Sequence, residues 1–135
     1  MSASILIADD DPNILLALSY LMRREGHAVR TATDGQQTLD AVAQAVPDLV
    51  LLDVMMPKAN GYDVCRALRA SHAYDGVRIV MLTAKGREAD QQAGLALGAD
   101  AYISKPFAIG DVVACVASVL AGKPGRTGAP GVSGA

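Results

Sequence analysis

Short, unbroken apolar runs alternate along this chain with segments whose apolar residues recur every three or four positions. Ile5–Ala8 and Leu49–Leu52 are the clearest runs. A strand buried on both faces reads this way, because neither face has room for polar side chains. His27–Ala32 gives a weaker second strand, Val77–Leu82 a fourth that ends at Thr83, and Ala101–Ser104 a fifth. Helical patterns fill the intervals. Asp11-Pro12 supplies an N-cap with proline at the first helical position. Ile14, Leu15, Leu18 and Met22 then follow at helical spacing, and Gly26 marks the stop. Asp34 caps a second helix with Leu39, Val42, Ala43 and Val46 inward, ended by Pro47. A Pro/Gly-containing loop, Met55 to Gly61, leads into a third helix, Tyr62–Ser71, with Cys65 and Leu68 inward. The fourth, about Arg87–Leu97, carries only a thin stripe of Ala89, Ala93 and Ala96. Gly94 lies inside it and costs about 1 kcal/mol relative to alanine. Ile109, Val112, Val113, Val116 and Leu120 line a last helix.

Strand–helix alternation in units of this size implies a parallel sheet with helices on both faces, joined by right-handed crossovers. Five units suit the flavodoxin-like α/β class, a doubly wound (βα)5 sheet of strand order 2-1-3-4-5. Its winding reverses between strands 1 and 3, and ligands bind outside the carboxyl ends at that point.

The composition narrows the function. The 135 residues fit one domain, of which 51% are apolar and 4% aromatic, so the core is aliphatic. A net charge of −2 leaves no electrostatic footprint for nucleic acid or an anionic membrane. Cys65 and Cys115 lack the spacing of a zinc or redox site and read as small hydrophobes in a reducing compartment. With no signal peptide and no membrane-length run, the chain reads as soluble and cytoplasmic. From Gly122 to Gly134 glycine falls at every third position. So few triplets cannot hold a collagen-like trimer, and the division is a domain over residues 1–121 with a flexible tail or linker over 122–135.

The candidate chemistry lies in three aspartates. Asp9 and Asp10 close the first run, and Asp53 closes the third strand. If those strands are neighbours, three carboxylates converge at the switch point, and such a cluster must raise a pKa, capture a cation, or both. Asp11, followed by Pro12, reads as a helix cap. Asp53 has no helix to cap.

Four motifs, each at the carboxyl end of its own strand, complete the picture: Asp9-Asp10, Asp53 within Leu51-Leu52-Asp53-Val54-Met55-Met56-Pro57, Thr83-Ala84, and Lys105-Pro106-Phe107. Over residues 4–120 the chain resembles the receiver domain of two-component response regulators, the single-domain chemotaxis type included. The resemblance implies that Asp53 accepts a phosphoryl group from a histidine kinase or phosphotransfer protein, a carboxylate being able to form an aspartyl-phosphate. It implies Mg²⁺ (or Mn²⁺) held by Asp10 and Asp53 directly, by Asp9 through water, and by the backbone carbonyl of Met55. Lys105, Thr83 and Ala84 would bind the phosphoryl group, with Thr83 and Tyr102 as switch residues and the Lys105–Pro106 bond cis. Output would pass to a protein partner on the face made by the fourth helix, fifth strand and last helix. The thin fourth helix would be the mobile element. Met55 and Lys85 would flank the path of water to the site. The loop reads Pro57-Lys58-Ala59-Asn60-Gly61, where the family most often has methionine-aspartate before the glycine, and Asn60 keeps the turn chemistry.

Such a domain is a phosphorylation switch that assists its own phosphorylation and dephosphorylation, rather than an enzyme acting on a separate substrate. The chain could equally be the receiver fragment of a longer regulator. A flavodoxin-like flavin protein needs a hydroxyl- and glycine-rich phosphate loop where Asp9-Asp10-Asp11-Pro12 would repel phosphate. A haloacid-dehalogenase-type phosphatase expects a carboxylate where Met55 stands. His27 and His72 lie away from every strand's carboxyl end and are poor candidates for phosphodonors.

Overall fold

A computed structural model of the chain describes residues 2–56, 58–84 and 97–122. The expected fourth helix lies outside them except for Leu97, which sits in a turn, and the glycine-rich stretch lies outside them after Gly122. The strands are β1 (Ser4–Ala8), β2 (Ala28–Ala32), β3 (Leu49–Asp53), β4 (Arg78–Ala84) and β5 (Ala101–Lys105). The helices are α1 (Pro12–Arg24), α2 (Gly35–Gln44), α3 (Gly61–Arg69) and α4 (Ile109–Ala121), with a 3₁₀ turn at His72–Tyr74. All pairings are parallel, and the order is β2-β1-β3-β4-β5, as the alternation implies.

Two aliphatic layers hold the sheet. On one face Leu6, Val50, Leu52, Ile79 and Met81 pack with Val42 of α2 and Val64, Cys65 and Leu68 of α3. On the other, Ile5, Ile7, Leu49, Leu51, Val80 and Leu82 pack with Leu18, Leu21 and Met22 of α1 and Val112 and Val116 of α4. Successive residues of each central strand thus serve opposite layers, which is why β1 and β3 read as unbroken apolar runs.

The helix signals act as caps. Asp11 accepts from the Asn13 N–H at 2.9 Å, Asp34 from Gln37 at 2.8 Å and Asn60 from Asp63 at 3.0 Å. Gly26, at φ 92°, turns the chain after α1. Two expected inner faces shift. α2 stops at Gln44 because Pro47 disfavours helix before it, so Val46 is 54% exposed and Thr38 takes an inward place. Ile109, the first residue of α4, is 61% exposed and lines no core.

At the edge away from the strands' carboxyl ends, Arg69 ties α3 to the sheet. Its guanidinium donates to Gly98 O at 3.0 Å, Tyr74 O at 3.2 Å and Asp100 Oδ2 at 3.0 Å, and that oxygen also accepts from Ile79 N at 2.8 Å. The pair is largely buried, so removing one partner strands the other charge. Asp100→Ala is expected to lower stability in urea by about 3 kcal/mol. Asp63→Ala, which breaks the exposed Asp63–Arg66 pair, should change it by less than about 1 kcal/mol.

Candidate functional site

Strand register assembles the site. Ala8 pairs with Leu52 across β1 and β3, so the next residues, Asp9 and Asp53, sit side by side at the carboxyl edge. Asp9, Asp10 and Asp53 each offer a carboxylate oxygen within 4.8 Å of the others, Asp9 and Asp53 buried and Asp10 exposed. On β4 and β5, Thr83 pairs with Ser104 and Ala84 with Lys105. Lys105 reaches back across the ends of β4 and β3, donating to Asp9 Oδ2 at 2.8 Å and lying 3.3 Å from Asp53 Oδ1. The peptide bond after it, to Pro106, is cis.

The two buried aspartates are held differently. Both Asp9 oxygens are engaged, Oδ1 by the Asp11 N–H at 2.9 Å and Oδ2 by Lys105. Asp53 Oδ1 accepts from the Met55 N–H at 3.2 Å as well as facing Lys105. Burial first, and the Asp9 charge second, push the Asp53 carboxyl up to about 6, against the opposing pull of Lys105 and the Met55 N–H. Burial disfavours the Lys105 ammonium, but its hydrogen bond to Asp9 and the charges of Asp53 and Asp9 outweigh that and raise its pKa.

Thr83 is buried, and its Oγ1 has no hydrogen-bond partner among the described residues. A buried hydroxyl without a partner is unfavourable, and one at a strand's carboxyl edge suits a ligand that is not always present. Tyr102 pairs with Met81, two residues before Thr83 on the same sheet face, and is 41% exposed. The Met55 side chain points outward, 63% exposed. Lys85 lies outside the described residues.

Asp9, Asp10, Asp53 and Lys105 therefore form one cluster, with Thr83 and Ala84 on the adjoining strand end. The response regulator receiver domain family matches residues 5–117. The chain belongs to that family. It is 48% identical over 120 residues to the DNA-binding response regulator MtrA of Mycolicibacterium smegmatis, covering 89% of this chain and 51% of that protein. To the alkaline phosphatase synthesis transcriptional regulatory protein PhoP of Bacillus subtilis it is 43% identical, covering 89% and 49%. The fold superposes on the chemotaxis response regulator CheY4 of Vibrio cholerae with a TM-score of 0.83 at 30% identity, covering 88% of this chain and 99% of that one. The chain spans about half the length of the curated relatives it matches. Receiver domains are signalling domains of two-component systems, working with histidine kinases. No described helix is long and apolar enough to cross a membrane.

The close packing at two glycines is not legible in the sequence, where Gly61 reads only as the end of the loop. A Cβ on Gly61 would stand 2.5 Å from Asp53 O, and one on Gly35 would stand 2.0 Å from Ala59 O. The sequence signal for Gly35 is its place directly after the capping residue Asp34, and for Gly61 its place at the end of the turn after Asn60.

The raised Asp53 value has a testable sign. The folded carboxyl binds its proton more tightly than the 3.8 of an ordinary one. Its contribution to stability is therefore present at low pH and lost as pH rises through about 6. In metal-free buffer above about pH 7, Asp53→Asn should raise stability by on the order of 1 kcal/mol, and the gain should shrink towards about pH 4. Thermal melts across that range check it.

Proposed function

We propose that this receiver accepts a phosphoryl group on Asp53 from a histidine kinase or phosphotransfer protein, with Mg²⁺ (or Mn²⁺) as the cation. The observation that carries the reading is Lys105 joined to both Asp9 and Asp53 at the edge where three carboxylates meet. One ammonium against three carboxylates leaves the cluster net negative, and its hard oxygen donors suit an octahedral dication. Asp10 and Asp53 would hold it directly, together with the Met55 carbonyl. Asp9, with both oxygens already engaged, suits a role through water. When bound, the cation would neutralise charge on the phosphoryl oxygens and reduce their repulsion from the attacking carboxylate.

The residues themselves supply the rest. An Asp53 oxygen attacks phosphorus as the phosphohistidine P–N bond breaks, and the imidazole leaves, taking up a proton. Lys105 then shifts part of its pairing from Asp53 to a phosphoryl oxygen as a point charge. Thr83 Oγ1, without a hydrogen-bond partner among the described residues, donates to another phosphoryl oxygen, while the Ala84 N–H stands next in line on the same strand end. Tyr102, on the same sheet face, would report the movement of Thr83 to the surface of β5 and α4, where a protein partner would read it; the fourth helix expected on that face lies outside the described residues. In the same way Lys105, paired with a phosphoryl oxygen, would serve loss of the phosphoryl group to water.

The proposed organisation is a receiver over residues 1–121 and a tail or linker over 122–135, in the cytoplasm. The span of about half of each curated relative favours a second possibility for the whole protein: that this receiver is the regulatory piece of a longer regulator. DNA binding in such a regulator would then come from outside the matched residues, since this chain's net charge of −2 offers no footprint for it.

Intact-mass measurement after incubation with acetyl phosphate and Mg²⁺ tests the reading. A single phosphate adduct is expected, absent in Asp53→Asn and absent when the metal is chelated. Lys105→Met should slow adduct formation by about 100-fold, the scale of losing one preorganised charge partner. An unmodified mass under all conditions would overturn the assignment.

A further inference from the structure

The loop that follows Asp53 is pinned at two places by missing side chains. Gly61 seats its base: the Gly61 N–H donates to Val54 O at 2.9 Å, and a Cβ there would meet Asp53 O at 2.5 Å and Val54 Cα at 2.8 Å. Gly35 seats its far side. This first residue of α2 is buried, and the three atoms nearest an added Cβ all belong to Ala59: O at 2.0 Å, Cβ at 2.5 Å and C at 2.6 Å. Gly35 does not have the positive φ that would call for glycine, and alanine is the better helix former. Space is the remaining reason for a glycine at that position. Ala59 lies in the notch, partly buried, and also packs against the core layer that holds Val54 and Met56. Lys58, just before it, takes the left-handed conformation at φ 71°. A non-glycine residue keeps such a geometry only when its neighbours fix the chain on both sides.

We propose that Gly35 is a positioning residue for the cation site, acting through Ala59. The loop between the two seats carries the main chain of Met55, whose N–H already restrains Asp53, and whose carbonyl completes the proposed ligand set. A side chain on α2 would displace Ala59 and, through the loop, move the Met55 peptide relative to Asp10 and Asp53. Gly35 belongs to α2, which supplies none of the cluster's carboxylates, and it sets the cation's affinity from that separate helix. The inference rests on the receiver reading above and deepens it.

Titration calorimetry with Mg²⁺ alone tests it on the full chain, alongside acetyl phosphate labelling at a series of Mg²⁺ concentrations. Gly35→Ala should weaken Mg²⁺ binding about 10- to 100-fold, the range found when groups supporting a metal ligand are removed. Saturating Mg²⁺ should restore most of its labelling rate, a split between affinity and maximal rate that a general loss of folding would not give. Ala59→Gly, which empties the notch without forcing the backbone, should weaken binding several-fold and keep a cooperative melt should Gly35→Ala not fold. Gly76→Ala, where an added Cβ meets nothing within 4 Å, should leave the affinity unchanged. Mg²⁺ affinities within two-fold of the unsubstituted chain for Ala59→Gly and any folded Gly35→Ala would overturn the positioning role alone. An unsubstituted chain that binds no Mg²⁺ would overturn the receiver reading and the inference with it.

Discussion

The carboxyl edge of this sheet is organised around one cation, the Lys105 ammonium held between Asp9 and Asp53. Two buried carboxylates side by side would repel each other strongly enough to drive one of them neutral. Lys105 makes the ionised pair tolerable without completing its neutralisation, and the remaining imbalance is what a dication can use. The same contact joins both ends of the domain, since Asp9 follows β1 and Lys105 closes β5. The last strand must therefore be seated before the first strand's aspartate has its partner.

The scaffold makes this arrangement insensitive to much of the surface. The groups of the site all lie within two residues of a strand's carboxyl end, and the strands are fixed by two aliphatic layers that do not include the site. Helices contribute by leaving room, as Gly35 and Gly61 do. The Arg69–Asp100 clamp works at the opposite edge, where it fixes the approach to β5. A helix surface can thus change while strand register preserves the geometry among Asp9, Asp53 and Lys105.

What could be read from the chain divides along physical lines. The strand order, the caps at Asp11 and Asp34 and the convergence of the aspartates follow from patterns that are local in sequence or set by sheet topology, whereas the cap at Asn60 was legible only as a turn residue. The Asp9–Lys105 bond was accessible only as a juxtaposition, because pattern places strand ends but not side-chain reach. The α2 face was misjudged at Val46, where a following proline outweighed the apolar period. The role of Gly35 was invisible for a different reason: a notch has no composition, and its partner Ala59 belongs to another element. The Arg69 network likewise joins residues far apart in sequence.

The Thr83 hydroxyl, without a hydrogen-bond partner among the described residues, has a quantitative consequence for the proposed switch. A hydrogen bond from a hydroxyl to a charged phosphoryl oxygen contributes about 1.5–3 kcal/mol. If Thr83 supplies the main coupling between Asp53 and the surface, that energy caps the shift between resting and signalling populations at roughly ten- to a hundred-fold. Such a domain would behave as a graded dial, with a resting signal that never falls to zero. A sharper response would have to come from whatever the switched surface assembles with.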